Sequence, residues 1–209
     1  MKRIVFDPDR CNLCNACRIA CSAGKKGSVQ PDLSRIRIET AGDAKPLRAV
    51  VCQHCQDPVC VTACMRGIIH QDEQTGIVSR RYEDCFRCAA CHVYCPVGAA
   101  VEDSDLQAFV TCDLCGGAEI PLCVQVCENG ALHFEEESET SRRRRERYAS
   151  GMFGGNASGA ASETAELSEA QWQTICAKIE AFCGVRLDPA ACRETGESLK
   201  AKAREVHHG

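Results

Sequence analysis

Sixteen of the chain's 19 cysteines lie between Cys11 and Cys127, and they fall into four groups of four. Cys11, Cys14, Cys17 and Cys21 form the first group; Cys52, Cys55, Cys60 and Cys64 form the second. Cys85, Cys88, Cys91 and Cys95 make the third, and Cys112, Cys115, Cys123 and Cys127 the fourth. Groups one and three share the spacing C-x2-C-x2-C-x3-C, while two and four relax it to C-x2-C-x4-C-x3-C and C-x2-C-x7-C-x3-C. Aromatic residues make up only 5% of the chain, so this region cannot owe its fold mainly to an ordinary apolar core. What the thiols hold must supply the interior, and the metal-free chain is expected to be largely unfolded.

The tight spacing is the run that ligates cubane 4Fe–4S clusters. Three closely spaced cysteines on one winding loop reach three iron corners, and the loop's N–H groups offset the negative charge of the sulfurs. The fourth cysteine starts a helical segment leading away and serves a neighbouring cluster. Zinc suits any one group taken alone. However, zinc sites usually set two C-x2-C pairs far apart, and a triple C-x2-C-x2-C is awkward for one tetrahedral ion. So many clustered thiols would scramble as a disulfide framework, and the opening MKRIVFDPD is too short and acidic for a targeting peptide.

Formal charge is −4, and four oxidised cubanes with their thiolates bring it to roughly −12, which excludes nucleic acid as a partner. No run of 18 apolar residues exists, so no span of a membrane is expected. Low-potential clusters suit a reducing cytoplasm, the expected location.

Taken in order, Lys2–Phe6 reads as a strand ending in the Asp7-Pro8-Asp9 turn. Ser34–Glu39 and Leu47–Val51 read as further strands, the second leading into group two. Gly67–Arg80 reads as a hairpin with Ile68 and Ile69 facing Ile77 and Val78 across the DEQTG turn. A strand is expected after Pro96 through Val101, with others at Ala108–Thr111 and Gly130–Phe134. Each half repeats a tight group followed by a relaxed one, so residues 1–136 are two ferredoxin-like modules with two clusters each.

Beyond residue 136 the character changes. Residues 137–163 form a charged linker that contains the basic run Arg142–Arg147, read as a solvated face or docking strap, and the small-residue stretch Ser150–Ser162. Residues 164–209 form a helical extension. Ser168 and Gln171 make a capping box before the stripe Trp172, Ile175, Cys176, Ile179, Phe182 and Cys183, with Gly184 as C-cap. Asp188-Pro189 opens a second helix carrying Cys192, Leu199, Ala203 and Val206. Cys176, Cys183 and Cys192 lack ligand spacing and read as buried thiols.

Groups two to four resemble the four-cluster, polyferredoxin-type electron-transfer subunits. These partner bis-pterin molybdenum enzymes such as dimethyl sulfoxide reductase and formate dehydrogenase. Related subunits serve carbon monoxide dehydrogenase, membrane hydrogenases and tungsten aldehyde oxidoreductases. The likeness is carried by Cys52–Cys64 (CQHCQDPVCVTAC), Cys85–Pro96 (CFRCAACHVYCP) and Cys112–Cys127 (CDLCGGAEIPLCVQVC). The family usually places proline after the last cysteine of each later group; here only Cys95 has it, and Met65 and Glu128 follow Cys64 and Cys127.

The resemblance implies an α+β fold of two bacterial-ferredoxin-like modules, the inner one (about 47–107) nested in the outer, with the C-terminal helices as an extension. Spacing alone equally permits tandem modules. Nesting implies one cluster on Cys11, Cys14, Cys17 and Cys127 and its neighbour on Cys112, Cys115, Cys123 and Cys21. The inner pair then falls on Cys52, Cys55, Cys60 and Cys95, and on Cys85, Cys88, Cys91 and Cys64. The function implied is a non-catalytic subunit relaying single electrons through four 4Fe–4S clusters. Its partner is a larger catalytic oxidoreductase subunit, with tungsten or molybdenum favoured, and a flavin or ferredoxin is the further redox partner implied. A subunit of carbon monoxide dehydrogenase or hydrogenase, a freely diffusing polyferredoxin and a structural zinc protein are the alternatives. His54, His70, His92 and His133 lie near cluster loops and read as tuning or space-filling groups, not as acids or bases.

Overall fold

In the computed structural model, which describes residues 1–41, 45–136, 138–142, 145 and 166–205, the two ends of the cysteine-bearing region pair with each other. β1 (Lys2–Phe6) runs antiparallel to β8 (Leu132–Glu136), with Ile4 opposite Phe134 and Phe6 opposite Leu132. Ile4 and Leu132 are buried with Ile36, Val51, Cys112 and Cys123 in one apolar cluster. Between these strands lie three more two-stranded antiparallel sheets. β2 (Arg37–Ala41) pairs with β3 (Lys45–Val50), β4 (Ile69–Gln71) with β5 (Val78–Arg80), and β6 (Val101–Asp103) with β7 (Ala108–Val110). The β1–β8 pairing brings the two ends of the cysteine-bearing region together, with thiol groups two and three lying between them in the chain.

Strand ends and one register depart from the reading of the sequence. β2 begins at Arg37 because the Ser34 hydroxyl donates to the Ile36 carbonyl and accepts from its N–H, folding a local turn there. In the hairpin, Ile69 stands opposite Arg80 and Gln71 opposite Val78, so Ile68 and Ile69 do not face Ile77 and Val78. The Asp72 carboxylate accepts from the N–H groups of Gln74 and Thr75 and from the Thr75 hydroxyl. This closes the turn so that the Asp72 N–H reaches the Ile77 carbonyl. Ile68, Ile69 and Val78 still share one buried cluster. β6 begins only at Val101, since a turn occupies the residues after Pro96.

Four helices serve the thiol loops: α1 (Ala16–Lys26), α2 (Val59–Ala63), α3 (Ala90–Val93) and α4 (Leu122–Gln125). Each has the third cysteine of a group in its first turn. α1 buries Ile19, Ala20 and Ala23, ends at Gly27 in the left-handed region, and carries Lys25 and Lys26 where its carbonyls point outward.

α5 (Glu169–Cys183) and α6 (Pro189–Glu205) form the C-terminal extension. The Ser168–Gln171 capping box is present, Gly184 is the C-cap, and the Asp188 carboxylate accepts from the N–H groups of Ala190 and Ala191. Trp172, Ile175, Cys176 and Ile179 bury themselves against Ile19, Ala20, Ala23, Leu122 and Val126, so the extension covers the chain's own α1 and α4. Lys178 fixes the seam by donating to the Gln125 carbonyl and pairing with Glu128 at 2.7 Å. At Gly196 the backbone of α6 lies against the first thiol loop, where a Cβ would stand 2.6 Å from the Cys14 carbonyl oxygen and 3.2 Å from Trp172. Cys176 and Cys192 are buried neighbours sharing a hydrogen bond, and the half-buried Cys183 donates to the Ile179 carbonyl. The expected linker Ser150–Ser162 and Val206 lie outside the described residues. Of the basic run, Arg142 and Arg145 are described, both exposed. No helix among the described residues is long and apolar enough to cross a membrane.

Candidate metal centres

The four thiol loops are wound partly left-handed. Among the described residues eight non-glycine residues have positive φ, and all but Gln107 sit in these loops. The residue just before the second cysteine is left-handed in every group: Leu13 (59°), His54 (45°), Arg87 (54°) and Leu114 (53°). The tight groups add Asn15 and Ala89 immediately after that cysteine, and the fourth group adds Cys115 itself. Each such side chain costs about 1 kcal/mol in that conformation. Alternating left- and right-handed residues turn successive N–H groups to one side of the loop and make a concave seat for negative charge. Local spacing foretells this winding only through the cysteines, because the left-handed residues are not glycines.

The thiols converge across long stretches of chain. Cys127 lies against Cys11, Cys14 and Cys17. Cys21 lies against Cys112, Cys115 and Cys123. Cys95 joins Cys52 and Cys60, with Cys55 beside Cys60. Cys64, Cys85, Cys88 and Cys91 line one cavity of about 260 Å³, walled by Ile68, Ile69 and Phe109. The four gatherings adjoin in a row, since Cys123 interacts with Cys17 and Cys112 with Cys52, while α2 and α3 pack together at the third and fourth.

Backbone donors are aimed at the sulfurs. The N–H of Arg35 donates to Cys21 Sγ at 3.3 Å, that of Leu114 to Cys112 Sγ at 3.4 Å, that of Ala99 to Cys95 Sγ at 3.3 Å and that of Ala131 to Cys127 Sγ at 3.2 Å. One turn recurs after the last cysteine of groups two, three and four. Gly67, Gly98 and Gly130, each three residues on with φ of 60°, 66° and 57°, return an N–H to the carbonyls of Cys64, Cys95 and Cys127. The C-x-x-G signal for this turn is in the sequence and was the one to read; proline follows only Cys95.

Burial pushes the Cys11 thiol up to about 11 and the Cys14 thiol up to about 12, and neighbouring sulfurs push further. Cys17, Cys112 and Cys123 are driven well above the ordinary thiol range for the same reasons. Burial of this kind keeps the free thiols protonated, and a thiolate there would need a metal to take up its charge. Among the described residues no three His, Cys, Asp or Glu side chains converge closely enough for a single ion. At Cys64, Cys85, Cys88 and Cys91 the soft donors are set around a cavity, an arrangement that suits an iron–sulfur group of several atoms.

The histidines fall outside these sets. His54 is buried, and its Nδ1 accepts from the Val78 N–H at 3.0 Å, which ties the second thiol loop to β5. Burial lowers its pKa to about 4 and keeps it neutral. His92 Nδ1 meets the Ala100 carbonyl at 2.6 Å, and its ring packs on Phe109. His70 is exposed on β4.

Residues 46–137 match the family model of the 4Fe-4S dicluster domain. The chain is 36% identical over 124 residues to the aliphatic sulfonate oxidoreductase polyferredoxin-like subunit of Pyrococcus furiosus, covering 59% of this chain and 70% of that protein. It is 29% identical over 154 residues to the thiosulfate reductase electron transfer subunit PhsB of Salmonella typhi, covering 66% and 79%. The NADH-dependent phenylglyoxylate dehydrogenase subunit beta of Aromatoleum evansii is 36% identical over 132 residues. That match covers 62% of this chain but spans only 29% of the longer protein.

Proposed function

The chain belongs to the 4Fe–4S polyferredoxin-like family of electron-transfer subunits, and from that premise we propose that it relays single electrons through four clusters. They pass between a larger catalytic oxidoreductase subunit and an external low-potential carrier. The proposed ligand sets are Cys11, Cys14, Cys17 and Cys127; Cys112, Cys115, Cys123 and Cys21; Cys52, Cys55, Cys60 and Cys95; and Cys85, Cys88, Cys91 and Cys64. When bound, a 4Fe–4S cluster takes up or gives back one electron. The observation that carries this reading is the row of four thiol gatherings, each touching the next.

What the chain itself contributes is position and field. The left-handed loops present N–H groups to the sulfurs, and the covering helices α5 and α6 close the Cys14 corner. The buried Asp103 is engaged with Lys26 and the half-buried Asp113 with Lys25 and Arg35, which suits a relay with substrate chemistry elsewhere. The relatives' names place them in oxidoreductases, which supports a catalytic partner; a tungsten or molybdenum enzyme is the partner we propose. Nineteen cysteines with none in a disulfide suit a reducing compartment, in keeping with the cytoplasm.

The test is a metal inventory of the complex purified anaerobically, for wild type and Cys88→Ser. Wild type is expected to hold about sixteen irons per copy of this chain, with tungsten or molybdenum in a co-purifying larger subunit. Cys88→Ser is expected to leave three normal cubanes by EPR spin counting. Four normal cubanes in that variant would sink its ligand assignment. Zinc in place of iron would sink the relay, and nickel in the partner would move the partner to carbon monoxide dehydrogenase or hydrogenase.

A further inference from the structure

Arg80, at the end of β5, brings a guanidinium to the fourth thiol gathering. Its Nη1 donates to Cys91 Sγ at 3.1 Å, and its Nε donates to the Thr111 hydroxyl at 3.1 Å. A longer contact, 3.4 Å, runs from Nη1 to the Phe109 carbonyl. The side chain also lines the cavity of Cys64, Cys85, Cys88 and Cys91. Nη2 is buried without a hydrogen-bond partner, and among the described residues no carboxylate pairs with this cation.

Near the outer gatherings the cations are paired with carboxylates: Lys25 and Arg35 meet Asp113 at 2.7 and 3.0 Å, and Arg18, whose charge reaches Cys17, meets Asp32 at 3.2 Å. A desolvated guanidinium needs an anion close by, and the sulfurs are the anions available to Arg80.

We propose that Arg80 is the charge-compensating residue of the centre containing Cys91, and that it makes this centre the electron-holding end of the relay. The proposal rests on the four-cluster reading above. Each electron received from the redox partner adds one negative charge beside the guanidinium and no proton, so an uncompensated cation there favours the reduced state. Arg80 is a positioning residue in this role.

The experiment is an anaerobic redox titration followed by EPR on the full chain with iron counted, for wild type, Arg80→Gln and Arg80→Lys. Arg80→Gln is expected to keep all four centres and make one of them harder to reduce by about tenfold, which is ~59 mV for a one-electron couple. The other three centres are expected to stay in place. Arg80→Lys, which keeps the charge, is expected to keep the iron and shift the same centre much less. Four unshifted centres in Arg80→Gln, an equal shift of all four, or an equal shift in both variants would overturn the proposal. So would loss of this centre's iron in both, which assigns Arg80 to packing. Fewer than four centres in wild type would count against the four-cluster reading instead.

Discussion

The turn after a ligand cysteine shows what a single residue does here. Proline after Cys95 pre-sets one dihedral, but the sequences after Cys64 and Cys127 make the same turn without it. Common to all three is the glycine three residues on, in the left-handed region, whose N–H returns to the cysteine carbonyl. In the turns of Cys95 and Cys127 the next N–H then points at the sulfur. At Gly98 nothing lies within 4 Å of where a Cβ would stand, so Gly98→Ala meets a conformational cost and no clash. The expected loss is about 1 kcal/mol of stability with iron content unchanged, read from the denaturation midpoint of the loaded protein. A lost cluster would show instead that the Ala99 N–H to Cys95 Sγ bond is indispensable.

Between elements, a few ion pairs tie the enclosing part of the chain to the enclosed part. Lys26, in the last turn of α1, reaches the buried Asp103 at the end of β6 at 2.6 Å, and Asp103 also accepts from the N–H groups of Asp105 and Leu106. Burial alone would raise this carboxyl, but Lys26 and the two N–H groups outweigh it and hold its pKa below the ordinary value. The folded value is thus lower than the unfolded one, so the stabilisation is present in full above the unfolded carboxyl value, about 4. It is lost as pH falls through the lowered folded value. Asp103→Asn is expected to cost about 2 kcal/mol at neutral pH and to flatten the acid limb of stability against pH, measured by denaturant titration. An unchanged acid limb would assign that limb to other carboxyls. Such ties were not legible in the sequence, because Lys26 and Asp103 carry no local pattern that joins them. The thiol groups, the Ser168–Gln171 box and the stripe from Trp172 were legible because their signals repeat over a few residues. The hairpin register was misread because apolar alternation did not show that the Asp72 side chain would set the turn.

On the scale of the whole molecule, one long-range event, the pairing of β1 with β8, brings the two ends of the cysteine-bearing region together, and no spacing encodes it. Spacing left tandem and nested orders equally open, and only the resemblance pointed to nesting. The pairing brings Cys127 beside Cys11, and it makes α1 and α4 neighbours on which α5 and α6 lie. The apolar clusters among the described residues draw on both halves of the cysteine-bearing region and on the C-terminal helices, and cysteines are part of all of them. Removing iron therefore removes the filling of the thiol gatherings, and the apolar clusters left are too small to hold the loops against chain entropy. The extension should follow, because the partners of Trp172, Ile175 and Ile179 are α1 and α4, and isolated helices of this length are marginal in water. Anaerobic chelation of the full chain is thus expected to abolish most of the far-UV helix signal, that of α5 and α6 included, and to expand the hydrodynamic radius. Iron and sulfide added back should reverse both. A chelated chain that stays compact with its helix signal intact would show that the protein core, not the metal, holds the nested fold together.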